Sequence, residues 1–87
     1  MALYLVERDF SQEVNMSAEE LEQIKQVTSE LGADWLYTFL SADKKKSYCI
    51  YEATDTDQLM KQAQVVGLPI NEIVEVSRMW PGEGFNR

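Results

Sequence analysis

Glu7, Glu52 and Glu75 are the residues of this chain best placed to move a proton. Each sits in a run of β-forming residues: LYLVER around Glu7, YCIYEA around Glu52 and EIVEV around Glu75. A carboxyl at the end of an apolar strand is a candidate acid or base, because burial disfavours its charged form. Glu52 leads the three because its strand is the most apolar. The chain has no histidine, so the commonest general base and metal ligand is missing. Cys49 is the single cysteine, which excludes an intramolecular disulfide, and a lone thiol in an apolar strand reads as a small buried hydrophobe. No nucleophile motif, glycine-rich phosphate loop or metal-spaced cluster is present. No catalytic residue and no cofactor are therefore assigned, and a metal-ligand set is unknown.

The richer pattern is aromatic. Trp35, Tyr37 and Phe39 alternate in one stretch, and Tyr48, Ile50 and Glu52 alternate in the next. A hairpin that pairs Leu40 with Ser47 sorts these six onto one face. Leu36, Thr38, Leu40, Tyr51, Cys49 and Ser47 fall on the other. Both faces are largely apolar, so the sheet must be covered twice. The smaller set suits packing under helices. The aromatic row then faces away and is the candidate ligand or partner surface, since Tyr, Trp and Phe are enriched at interfaces. An aromatic sheet face also serves RNA stacking. Against that stand the net charge of −7 and the missing Lys/Arg-Gly-aromatic strand motif. The one basic cluster, Lys44-Lys45-Lys46, reads as a solvated turn that discourages edge pairing.

The elements that must position these residues follow from local signals. Ala2 to Arg8 reads as a strand, and Asp9 to Met16 as a loop. Ser17-Ala-Glu-Glu20 is a capping box. Leu21, Ile24, Thr28 and Leu31 then recur at helical spacing, and Gly32 supplies the left-handed C-terminal residue. Asp34–Leu40 and Ser47–Ala53 are the two hairpin strands. Thr54 to Asp57 opens a second helix, with acidic residues where the helix dipole favours them. Its buried stripe is Leu59, Ala63 and Val66, helped by Met60, and Gly67-Leu-Pro69 ends it. Glu72 to Met79 reads as the last strand. Trp80 to Phe85 has neither helical nor strand period.

The order β-α-β-β-α-β implies an α+β, ferredoxin-like fold. It consists of a four-stranded antiparallel sheet in spatial order 4-1-3-2, with both helices on one face. Residues 1–80 form one domain and 81–87 a C-terminal tail. Eighty-seven residues bury a modest core, so a homodimer is expected, with Trp80 and Phe85 crossing onto the second subunit. No apolar run approaches the ~18 residues of a membrane helix and no signal peptide is visible. Neither membrane nor nucleic acid is an expected partner, and the cytoplasm is the expected location.

The segments Tyr4-Leu-Val-Glu-Arg-Asp-Phe10, Trp35 with Tyr37-Thr-Phe39, Tyr48-Cys-Ile-Tyr-Glu-Ala53, Gly67-Leu-Pro69 and Ile73-Val-Glu-Val76 occur here in order. In this the chain resembles a family of small bacterial proteins, mostly of unknown function, that includes nickel-binding members. The resemblance runs from about Ala2 to Pro81 and implies a ferredoxin-like fold and a dimer. Members often carry a histidine two residues after the strand tryptophan and another in the second helix before an alanine. Here those positions hold Tyr37 and Gln62, poor substitutes for imidazole toward nickel.

Three functions remain in view. The first is a non-catalytic module for a small ligand or a protein partner, with Trp35, Tyr37, Phe39, Tyr48, Ile50, Glu52 and Gln62 as candidate contacts. The second is a nickel or other divalent-metal protein, implied by the resemblance. The third is a cofactor-free isomerase, lyase or oxygenase using Glu52 as base, with Tyr37 or Tyr48 as hydrogen-bond donor. The third rests on what the fold permits.

Overall fold

The computed structural model describes residues 1–82 and the backbone of residues 84–86. Its elements are β1 (Ala2–Asp9), α1 (Ala18–Glu30), β2 (Asp34–Leu40), β3 (Lys46–Ala53), α2 (Thr56–Val66), β4 (Glu72–Val76), β5 (Arg78–Trp80) and β6 (Gly84–Asn86). The main sheet has the order β2-β3-β1-β4, all antiparallel. This is the α+β arrangement expected for βαββαβ, read from the other edge.

Alternation along β1 sets the two faces. Tyr4, Val6 and Arg8 are buried on the helix side, while Leu3, Leu5 and Glu7 lie between them on the opposite, open face. β3 is buried at Ser47, Cys49, Tyr51 and Ala53 on the helix side. Leu59 of α2 packs into the same cluster as Cys49, Tyr51 and Ala53, and Ala63 of that helix is buried as well. Full burial of Val6 or Leu59 contributes about 1.5–3 kcal/mol each.

Both helices start as the sequence dictates. The Ser17 hydroxyl accepts from the Glu20 amide at 3.1 Å, and the Glu20 carboxylate accepts from the Ser17 amide at 3.3 Å. Asp55 accepts from the amides of Asp57 and Gln58. Gly32 and Gly67 take the left-handed conformation after the two helices, with φ of 86° and 73°. That conformation strains any residue with a Cβ.

Three expectations need correction. β2 carries a bulge between Trp35 and Tyr37: Trp35 pairs with Tyr51, whereas Tyr37 pairs with Ile50. One extra residue flips everything before it to the other face. Trp35 therefore leaves the aromatic row and packs on the core. The last strand breaks at Ser77, and Arg78–Trp80 pairs with Gly84–Asn86 as a separate hairpin, so the tail has strand structure that its Pro and Gly content hid. Met60, read as inward, is exposed, and Leu21, on the inner side of α1, is left 40 % exposed. Trp80 is exposed too, and the side chain of Phe85 lies outside the described residues.

Candidate ligand-binding site

The bulge and the first helix together open a cavity of about 290 Å³ on the helix side of the sheet. Its floor is Trp35, Thr38, Ser47, Cys49 and Tyr51 from β2 and β3, and Leu21 and Ile24 of α1 roof it. Phe10, Val14 and Met16 wall one side. That segment is held in place by backbone bonds to the hairpin tip: Phe10 N–H donates to Lys45 O at 2.9 Å, and Val14 N–H to Lys44 O at 2.8 Å. The lysine-rich turn thus serves as an anchor for the wall. Its own shape is fixed by Asp43, which accepts from Ser41 Oγ and the Lys45 amide. These bonds, the Ser41 contact first, hold the Asp43 carboxyl below its usual value.

Arg8 belongs to the same cavity wall and is only 1 % exposed. A buried guanidinium is costly unless it is paired, and its acceptors here are all neutral. Nη1 donates to Pro69 O at 2.9 Å, and Nη2 donates to Tyr51 Oη at 3.2 Å and to Gln62 Oε1 at 3.0 Å. Gln62, fully buried, turns its Nε2 to Thr28 Oγ1 at 2.9 Å and to Tyr51 Oη at 3.2 Å. Thr28 in turn donates to the Ile24 carbonyl at 2.7 Å. The network joins β1, β3, α1, α2 and the segment after α2. Burial, followed by the nearby Cys49 sulfur, pushes the Tyr51 phenol above its ordinary value, against the opposing pull of Arg8. Tyr51 is therefore a neutral phenol at neutral pH.

The candidate residues divide between the two sides of the sheet. Tyr37, Phe39, Tyr48, Ile50 and Glu52 share the open face, as expected. Tyr37, Ile50, Leu5 and Val74 form one rung across all four strands. The Tyr37 and Phe39 rings meet edge to face at 5.5 Å. Phe39 is 62 % exposed, while Ile50 at the centre of the sheet is 7 % exposed. Trp35 lies on the other side, in the cavity, where its Nε1 donates to Thr38 Oγ1 at 2.8 Å. Gln62 lies on that side as well, within the buried network.

The three carboxylates do not converge. Glu7 lies opposite Tyr48 and Glu72 on the open face, and Glu52 opposite Asp34 and Leu3. Glu75 falls on the helix side of β4, exposed, beside Tyr4. Glu52 and Glu75 do border a second cavity, of about 380 Å³, with Leu3 and Arg78. It is larger than the first, but more polar and formed at the sheet end. The first cavity has the apolar lining and few convergent polar groups of a small-molecule site. Among the described residues no group of three or more His, Cys, Asp or Glu is arranged to hold a metal ion. Tyr37 and Gln62, at the positions where the resemblance places histidines, lie on opposite sides of the sheet.

Sequence reasoning missed Arg8, Tyr51, Thr38 and Ser47 as site residues. The signal for Arg8 was present: it is in phase with Tyr4 and Val6 along β1, so its side chain enters the core.

A solved structure of SCO4226 from Streptomyces coelicolor A3(2) superposes with a TM-score of 0.68 at 15 % identity, covering 86 % of this chain and 95 % of that one. At that identity the likeness establishes the fold. The ACT domain of a GTP pyrophosphokinase from Chlorobium tepidum matches at a TM-score of 0.42 and 14 % identity, over 86 % of this chain and 95 % of that one. No curated protein matches the chain. The sequence profile described as "Nickel responsive protein SCO4226-like" matches residues 4–76, so this chain belongs to the SCO4226-like family.

Proposed function

We propose that this protein is a non-catalytic module that holds a small, largely apolar molecule in the cavity beneath α1 and packs as two copies through the open face of its sheet. The carrying observation is the cavity itself. At about 290 Å³ it stands at the lower edge of the ~300–1,000 Å³ range of small-molecule sites. Its polar lining is confined to Arg8, Thr38, Ser47 and Tyr51. Among the described residues no nucleophile–base pair accompanies them, and Tyr51 is held away from ionisation. The test is amide-resolved NMR during titration with octanoate and with 1-octanol. Shifts concentrated in residues 10–16 and the first half of α1 support the cavity as the site. Shifts confined to the open sheet face, or none, overturn it.

The family description names a nickel response, which makes metal binding the second reading. In this chain it needs donors other than imidazole, and the carboxylates are dispersed. Calorimetry with Ni²⁺ decides: binding at micromolar metal revives that reading, and no heat retires it.

A further inference from the structure

We infer that Arg8 and Tyr51 form a head-group end of the cavity, and that the molecule held there carries a single carboxylate on a short alkyl or aryl body. This rests on the reading of the cavity as a ligand site and names the class of ligand.

The first support is a charge that no described residue compensates. Arg8 is buried, and its hydrogen-bond acceptors are a carbonyl, a phenol and an amide, none of them anionic. Buried charges are ordinarily paired with an opposite charge. Three donor–acceptor contacts satisfy three of the five N–H groups that a guanidinium offers. The second support is an unspent proton. Tyr51 Oη accepts from both Arg8 and Gln62, and among the described residues no acceptor receives its own O–H. Both residues border a cavity whose remaining wall is mainly apolar.

A guanidinium beside a hydroxyl donor matches a carboxylate in geometry and in charge. One cation balances one negative charge, so a doubly charged phosphate would exchange a buried excess cation for a buried excess anion. The apolar wall, with Phe10, Leu21, Ile24 and Trp35, accommodates the body of the molecule. The overall charge of −7 gives no long-range attraction for an anion, so recognition depends on burial at Arg8.

The alternative is that the network is only a cross-link between helices and sheet. Calorimetric titration with octanoate and 1-octanol separates the two. The expected result is a preference for octanoate of about tenfold or more, the size of one charge-assisted hydrogen bond. Gln62→Glu supplies an internal counter-ion to Arg8, so the folded variant should lose that preference while still binding 1-octanol. Where Gln62→Glu does not fold, Tyr51→Phe serves instead: it removes the unspent proton and should lower octanoate affinity by more than that of 1-octanol, because the bond to a carboxylate is the charge-assisted one. Equal affinity for the two probes overturns the carboxylate site but leaves the cavity as a ligand site. Binding of neither overturns both. Preference for octanoate that persists unchanged in the folded variant also overturns the assignment to Arg8 and Tyr51.

Discussion

The Arg8 guanidinium and the Gln62 side-chain amide meet at 3.0 Å, and both side chains are almost completely removed from solvent. This contact orders the interior. Gln62 uses its oxygen on Arg8 and its nitrogen on Thr28 and Tyr51, so one amide orients a group from each of β1, α1 and β3. Unpaired, the same groups would each carry a desolvation cost with no compensation.

Replacing Gln62 with leucine, close in volume, should therefore cost about 1–3 kcal/mol, because it removes one of the three acceptors of the buried Arg8 and the amide donor shared by Thr28 and Tyr51. Urea unfolding followed by circular dichroism measures it. A loss below about 0.5 kcal/mol, the scale of an ordinary surface change, would show that the network carries no stability.

Much of this fold is legible in the sequence because its signals are local. The capping box at Ser17 and Glu20, the glycines after both helices, and the Leu40–Ser47 register all depend on neighbours in the chain. What escapes is decided at long range. The bulge at Leu36 leaves no composition signal, yet it moves Trp35 from the open face to the cavity. Gln62 and Arg8 are polar types that usually reach water, and only the distant partners Tyr51, Thr28 and Pro69 make their burial tolerable. The cavity arises from how α1 sits on the sheet, which no periodicity encodes.

The raised Tyr51 pKa has a defined consequence at alkaline pH. The unfolded phenol ionises near 10.0, while the folded one stays protonated to higher pH. Protons are then bound more tightly in the folded state, so its contribution is complete below pH 10 and is lost as pH climbs past that value toward the folded pKa. Urea midpoints between pH 8 and 11 should fall, and Tyr51→Phe should fall less steeply. Parallel slopes for the two proteins would remove Tyr51 as the cause.

Trp35 reports the bulge directly. Its indole N–H donates to Thr38 Oγ1 at 2.8 Å, a bond available only when both residues lie on the helix side. Thr38→Val should cost about 1 kcal/mol through the unpaired indole donor. Deleting Leu36 should cost more, because a continuous register returns Trp35 to the open face. The fluorescence of Trp35, isolated in a Trp80→Phe background, should move to the red in the deletion and stay near its original position in Thr38→Val. An unshifted spectrum in the deletion variant would mean that the strand finds another way to keep the tryptophan inside.

The open face carries the prediction about assembly. Phe39 is 62 % exposed, and with Tyr37 and Val74, also exposed, it flanks a centre already sealed at Ile50. An apolar surface of this kind on so small a domain is covered most economically by a second copy, each supplying the same patch about a two-fold axis. Phe39→Asp changes a residue that the single chain leaves mostly exposed, so monomer stability should fall by only about 1 kcal/mol, through the lost Tyr37 ring contact and the weaker strand propensity of Asp. Association should weaken by at least about tenfold, because each partner loses an aromatic contact and must desolvate a new carboxylate. Sedimentation velocity across a concentration series compares the two proteins. A wild-type protein that stays monomeric at high concentration would exclude the second copy. A Phe39→Asp variant that remains as dimeric as the wild type would show that the contact uses another surface, with the exposed Met79 and Trp80 of the terminal hairpin as the next residues to change.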